Sequence, residues 1–318
     1  MPHIVTLTLN PAIDKSTAVP QLLPEQKLQC APPKVEPGGG GINVARGLKR
    51  LGLEARAVFT VGGPPGEVLR QLVAREGLAG HPVPTAAWTR ENLTVVDASN
   101  NQQYRFGMPG TTLDPTEQDA VLATLAALAP APDVLVVSGS LPQGVAPTYL
   151  GRLARWARAA GAKLVVDTSD EALQAAVNEG VYLLKPNLGE LARLAGLPTL
   201  DSESAGRAAQ SIIAQGKCEI VVVSLGPNGA CLVTRDGEEH IPAPAVQKKS
   251  TVGAGDSMVA GLVFALSQGR PVREAVRLGV ACGTAATMNE GTELFHPADA
   301  EKLFQWLLRT MPPPEFAH

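Results

Sequence analysis

The stretch Ser250-Thr251-Val252-Gly253-Ala254-Gly255-Asp256-Ser257-Met258-Val259-Ala260-Gly261-Leu262-Val263-Phe264 joins a glycine-bearing loop to an apolar run. Met258, Val259, Leu262, Val263 and Leu266 recur at helical spacing, which predicts a buried helix starting near Asp256. Glycines at 253 and 255, with Ala254 between them, let backbone N–H groups converge on an anion with no Cβ in the way. The unpaired N–H groups and dipole of a helix N-terminus favour negative charge at the same place. Asp256 would be held ionised there, as a proton acceptor must be. The simpler reading is that Asp256 only caps a helix, and for an isolated G-x-G-D that is the commoner case.

A chain of 318 residues, 45% hydrophobic and 18% charged, is long for one domain and short for three. The expectation is one large domain with an elaboration. A formal charge of −3 argues against a protein that coats nucleic acid or an anionic membrane, and points to a small-molecule partner. Cys30, Cys218, Cys231 and Cys282 are far apart and form no C-x-x-C, which fits a reducing compartment without a structural metal. With no apolar run of membrane-spanning length and no leader pattern, the protein reads as cytoplasmic.

Residues 3–9 are apolar and β-branched and predict a strand that Asn10-Pro11 stops. Asp14, just beyond, can bind polar hydroxyls past a strand C-terminus or be an ordinary loop aspartate. Residues 15–36, with short pieces such as Lys27-Leu28-Gln29-Cys30 that can form strands, read as an excursion from the main sheet. Gly38-Gly39-Gly40-Gly41 follows, a run that would cost roughly 1 kcal/mol per residue inside regular structure and so implies close backbone approach. Asn43 then stands in the first turn of a helix that Gly52 stops. It occupies the last glycine position of G-x-G-x-x-G, so a dinucleotide fingerprint fails.

Between Val83 and Met108 two alternating segments flank Ser99-Asn100-Asn101, a hairpin signal. With residues 15–36 this piece can form a small sheet. If it covers the glycine loop, Lys27, Arg90 and Arg105 can converge on an anionic group; by default each is a solvated surface charge. From Leu113 the α/β rhythm is regular, with buried-strand runs at Asp133–Val137, Lys163–Asp167, Val181–Lys185 and Glu219–Ser224. Asn187 and Glu190, three apart at a helix start, suit either a hydrated Mg²⁺ or a capping pair. The glycine-rich Leu225–Gly229 turn can pass close to a nucleotide. A helix over Asp299–Leu308 precedes a proline-rich tail expected to be disordered.

Taken together, Gly38–Ala45, Ser250–Ser257, Thr6–Asp14, Lys185-Pro186-Asn187 and Ser224–Gly229 resemble, in order, the signatures of the ribokinase-like (pfkB-type) sugar kinases. The similarity runs from residue 3 to about 308, and the four-glycine form is most similar to the 6-phosphofructokinase branch. The resemblance implies a doubly wound α/β main domain (1–14, 37–84 and 109–318) with a β-lid (15–36 and 85–108) that also forms a homodimer. It implies ATP-dependent phosphorylation of fructose 6-phosphate at the C1 hydroxyl, giving fructose 1,6-bisphosphate in glycolysis. Tagatose-6-phosphate kinase and 1-phosphofructokinase are near alternatives on the same scaffold, and a non-catalytic sugar-phosphate sensor is one from another class. The intact Gly253-Ala254-Gly255-Asp256 counts against the sensor.

The resemblance also implies roles. Asp256 would be the base, and the amides of Gly253, Ala254 and Gly255 the anion hole. Asp14, Gly38, Gly39 and Asn43 would hold the sugar, joined by a hydroxyl at position 139 inside Ser138-Gly139-Ser140. Arg90, Arg105 and a partner-subunit Lys27 would hold the 6-phosphate. Lys185, Asn187, Ser224, Gly226, Gly229 and Thr251 would bind ATP, with Glu190 near Mg²⁺. K⁺ would sit around Ser250, Val252, Ala286, Asn289, Gly291 and Glu293. Gln29 and Gly189 depart from the family's pattern, where an arginine grips the 6-phosphate and a lysine serves the nucleotide loop.

Overall fold

Strand β1 (Ile4–Thr8) is buried along its whole length, and each of its large aliphatic side chains contributes about 1.5–3 kcal/mol by leaving water. A five-residue run with no exposed face, its Thr6 and Thr8 buried as well, requires neighbours on both sides. It has them in the computed structural model, which describes residues 2–110 and 112–311 and so leaves the proline-rich tail outside. There β1 pairs in parallel with β4 (Arg56–Val61) and β8 (Val134–Ser138), Leu7 lying opposite Val58 on one side and Val137 on the other. Nine strands form a mixed main sheet and four form a small lid sheet, the α/β architecture expected.

The chain divides into two compact units. The first, Pro2–Arg46 with Glu54–Val181, holds the main-sheet run β9 (Lys163–Asp167), β8, β1, β4, β5 (Ala79–Pro84). Its helices are α1 (Gly40–Arg50, up to Arg46), α2 (Gly63–Arg75), α3 (Pro115–Ala126), α4 (Thr148–Ala159) and α5 (Asp170–Glu179). The lid belongs here, in the order β3 (Lys34–Gly38), β2 (Ala12–Val19), β6 (Arg90–Asp97), β7 (Gln102–Phe106). β6 and β7 form the hairpin read from Ser99–Asn101. Lys27–Cys30, by contrast, adopts no strand.

The second unit contains Gly47–Leu53 and the chain from Tyr182 onward. It carries the run β13 (Gly237–Ile241), β12 (Ala230–Thr234), β11 (Cys218–Ser224), β10 (Val181–Leu184). β11 to β13 are antiparallel. Its helices are α6 (Leu188–Leu194), α7 (Ala205–Ala214), α8 (Ala254–Ser267), α9 (Val272–Thr287) and α10 (Pro297–Thr310). Helices α8 and α9 meet through small residues: a Cβ on Gly261 would stand 2.9 Å from Cα of Gly279, and one on Gly283 3.0 Å from the Ala254 carbonyl. That second contact seats the first turn of α8, where Asp256 lies. Among the described residues no helix is long and apolar enough to cross a membrane, and all four cysteines are free.

Candidate active site

Helix α8 starts at Ala254, two residues before the expected point, because Gly253 takes φ 73, ψ 0 and turns the chain directly into it. Asp256 stands in the first turn, half-buried. The first intrahelical bond runs from Ser257 N to the Gly253 carbonyl at 2.9 Å, so the amides before it have no acceptor within the helix itself. Ala254 N turns back to the Thr251 carbonyl at 3.4 Å, so the carboxylate shares its turn with N–H groups that are not tied into the helix.

The loop before α8 is tied to the end of α9. Lys249 and Ser250 N–H donate to the Thr287 carbonyl at 2.8 and 3.2 Å, and Ser250 Oγ donates to the Gly291 carbonyl at 2.7 Å. Asn289 Nδ2 donates to the Leu294 carbonyl at 2.8 Å, which also accepts from Arg50. These bonds join the segments bearing Ser250, Val252, Ala286, Asn289, Gly291 and Glu293, rich in carbonyl and hydroxyl oxygen, a donor set that suits a hard cation. Among the described residues no cluster of three His, Cys, Asp or Glu could hold a metal.

Lys185, 6% exposed, follows β10, and Ser224 N and Oγ both donate to the Pro186 carbonyl, at 2.8 and 3.3 Å. The Lys185–Asn187 segment and the Ser224 turn are thus one unit. Asn187 and Glu190 form a reciprocal capping box on α6, each bond 2.9 Å. The cap fixes Glu190 at the start of α6, and Mg²⁺ held mainly by phosphate and water asks for few protein oxygens. Gly226 and Gly229 have φ 60 and 92, and a Cβ on Gly229 would lie 2.0 Å from the Ile241 carbonyl. Thr251 is exposed nearby in sequence to Asp256.

The second group of candidates lies in the other unit. Asp14, expected in a loop, stands in lid strand β2, opposite Glu36 and Asn92. Asn92 Nδ2 donates to its Oδ1 at 2.9 Å. A Cβ on Gly38 would come within 2.1 Å of Asp14 Oδ2, so that glycine makes room for the carboxylate. Gly39 has φ 112 and precedes α1, in which Asn43 is buried. Gly40 passes so close to β8 that a Cβ would meet Ser138 Oγ at 2.3 Å and Gly139 N at 2.7 Å. Position 139 therefore corrects the expectation: it is a glycine with φ 106, and the hydroxyls of the turn belong to Ser138 and Ser140.

Arg90 is half-buried and donates to three backbone carbonyls, Asn10 at 3.0 Å, Met108 at 3.3 Å and Pro11 at 3.4 Å. Burial holds its pKa below the ordinary guanidinium value, and Asp14 draws it back. Lys27 and Arg105 are exposed, Arg105 opposite Thr94 in the lid hairpin. Sequence reasoning missed Arg46, which is 2% exposed and donates to Glu36 at 2.8 Å, Glu76 at 3.0 Å, and Asn43 and the Pro37 carbonyl at 3.3 Å. Its only sequence signal is its place one turn after Asn43. Arg46→Ala would take the buried guanidinium from Glu36, which keeps its 3.5 Å ion pair to exposed Lys34, and we expect a loss of about 3 kcal/mol in urea unfolding. An unchanged midpoint would contradict this.

Burial pushes the Asp14 carboxyl above its ordinary value, against the pull of Asn92 and Arg90, while Glu36 adds to the rise. A carboxyl raised in the folded state binds its proton there after the unfolded chain has lost it. Its ionisation therefore destabilises the fold progressively as pH climbs from the ordinary carboxylate value through the raised one. Asp14→Asn is expected to melt above wild type at pH 7, the gap closing below pH about 4. A gap independent of pH would show that burial of the charge is not the cause.

The family model for pfkB family carbohydrate kinases matches residues 5–299. The chain is 43% identical over 314 residues to ATP-dependent 6-phosphofructokinase isozyme 2 of Escherichia coli K12, covering 97% of this chain and all of that one. It is 34% identical to a 1-phosphofructokinase of Rhodobacter capsulatus, covering 98% of this chain and 99% of that one. The Escherichia coli phosphofructokinase-2 in complex with potassium superposes with TM-score 0.92 at 43% identity, over 96% of this chain and 99% of that one. Its complex with fructose-6-phosphate gives 0.90 at 41%, over the same shares; a tetrameric inhibited form gives 0.89 at 42%, again over the same shares. The chain belongs to the pfkB family of carbohydrate kinases.

Proposed function

We infer that the protein is an ATP-dependent 6-phosphofructokinase, transferring the γ-phosphoryl group of ATP to the C1 hydroxyl of fructose 6-phosphate. The observation that carries this reading is Asp256 in the first turn of α8, directly behind Gly253 in the left-handed region. Full-length identity to the 6-phosphofructokinase exceeds that to the 1-phosphofructokinase, which favours the 6-phosphate substrate.

Phosphoryl transfer asks for positioning and charge stabilisation more than for covalent chemistry. Asp14, Gly38, Gly39 and Asn43 orient the sugar hydroxyls, and Arg90 and Arg105 take the 6-phosphate. Asp256 accepts the C1 hydroxyl proton as the oxygen attacks. The N–H groups from Gly253 to Gly255 receive the negative charge of the migrating phosphoryl. Lys185, Asn187, Ser224, Gly226, Gly229 and Thr251 bind ATP. Mg²⁺ beside Glu190 and K⁺ on the oxygens between Ser250 and Glu293 supply fixed positive charge when bound. A homodimer formed through the lid fits the exposed apolar side chains of Val35 on β3 and Phe106 on β7, and would bring Lys27 to its neighbour's site.

Phosphorus NMR of the product tests the reaction. Fructose 6-phosphate with MgATP should give one new phosphomonoester at C1 and equimolar ADP; ADP without a second sugar phosphate would refute it.

A further inference from the structure

Asn10, at the end of β1, belongs to no role assigned above and is 6% exposed. Its Nδ2 donates to Ser140 Oγ at 3.0 Å and to the Leu141 carbonyl at 3.4 Å. A carbonyl only accepts, so Leu141 fixes which end of the amide faces the turn: the nitrogen. The amide packs against Gly110, where a Cβ would stand 2.5 Å from Oδ1 and 2.6 Å from Nδ2, and Oδ1 is buried with no hydrogen-bond partner among the described residues. A buried acceptor left unpaired is costly, so this orientation is held against a penalty.

The consequence falls on Ser140. A hydroxyl has one proton to give, and here its oxygen accepts from Asn10. Ser140 is exposed on the turn after β8, so that proton is left to be given to a group other than Asn10. The carbonyl of Asn10 meanwhile accepts from Arg90 Nη2 at 3.0 Å. Arg90 Nη1 reaches the Met108 carbonyl, Met108 N donates to Asn92 Oδ1 at 3.1 Å, and Asn92 Nδ2 donates to Asp14. One continuous hydrogen-bonded chain thus runs Ser140, Asn10, Arg90, Met108, Asn92, Asp14.

We propose that Asn10 is a positioning residue that sets the Ser140 hydroxyl as a hydrogen-bond donor to an oxygen of the sugar phosphate while holding Arg90 from the same residue. This rests on the reading of Asp14, Arg90 and the hydroxyl of the Ser138–Ser140 turn as sugar-phosphate ligands; what is added is the part played by Asn10.

The test is steady-state kinetics on Asn10→Ala, Ser140→Ala, the double variant, Asn10→Asp and Arg90→Ala. Asn10→Asp keeps the shape but can only accept, so it turns the Ser140 proton inward. Its KM for fructose 6-phosphate is expected to rise about 10-fold or more, with KM for MgATP within about 2-fold. The two alanine variants should each raise the sugar KM several-fold and the double variant no further than the larger of them, as members of one unit do. If Asn10→Asp fails to fold, this cycle decides alone. Additive effects, or an unchanged sugar KM in Asn10→Ala and Ser140→Ala while Arg90→Ala raises it, would overturn the proposal and leave the ligand reading standing. An unchanged KM in Arg90→Ala would overturn both.

Discussion

Asp256→Asn is expected to lower kcat by about 10²-fold or more while fructose 6-phosphate still binds within several-fold of wild type. The substitution is nearly isosteric and occupies the third position of α8. It keeps the polar group at the helix N-terminus, so Gly253, the first-turn amides and the contact of Gly283 with Ala254 stay as they are. What it removes is the capacity to accept a proton from a hydroxyl at neutral pH. The outcome therefore separates the two readings of this residue: a helix cap is replaced by Asn at little cost, and a general base is not. Calorimetric binding of the sugar phosphate beside initial-rate kinetics measures both halves, and near-normal turnover would refute the assignment.

Gly253→Ala should be almost as damaging for another reason. At φ 73 a side chain costs about 1–2 kcal/mol. Its Cβ would also stand 2.8 Å from Leu294 Cδ2, and Leu294 is fully buried. The backbone around Leu294 has little freedom to give way, because its carbonyl is gripped by Arg50 and Asn289. The loop can relieve the strain only by leaving the left-handed region, which re-aims the amides that enter α8. Loss of an anion-hole donor typically costs about 10²–10³ in kcat, and we expect a fall in that range with KM values little changed. Gly52→Ala is the control: Gly52 also has positive φ, 85, but a Cβ there meets nothing within 4 Å. It should cost comparable stability and no turnover. A Gly253→Ala enzyme within about 2-fold of wild-type kcat would contradict the role given to these amides.

The parts of this molecule that were legible in the sequence are those where local chemistry dictates the backbone. Runs of apolar and β-branched residues without charge marked β1, and near-continuous apolar runs marked β8, β9 and β11, because a strand buried on both faces excludes charged side chains from its middle. Gly38–Gly41 and Gly253-Ala254-Gly255 stood out because only close approach or positive φ justifies such glycines, and both are found. β5 escaped notice because Gly80, Pro82 and Pro84 disfavour a strand; it lies at the end of the sheet order beside β4, and an edge strand admits proline. Helices α5 and α7 were missed, each being only ten residues long, and in α7 the buried face is made mostly of alanine and glycine, which carry little apolar signal in the sequence. Asp14 was placed in a loop because its strand belongs to the lid, whose pairings with β3 and β6 join segments far apart in sequence. The partners of Asn92 and Asn10 could not be read, and Arg46 left no more signal than its place one turn after Asn43. Their roles come from partners as distant as 130 residues along the chain, which no local pattern encodes.

The most direct test of the account is initial ADP production with MgATP and K⁺, comparing fructose 6-phosphate, tagatose 6-phosphate, fructose 1-phosphate and fructose, run beside Asp256→Asn. The account predicts a clear preference for fructose 6-phosphate that disappears in the variant. Binding of fructose 6-phosphate with no turnover of any of the four sugars would contradict it.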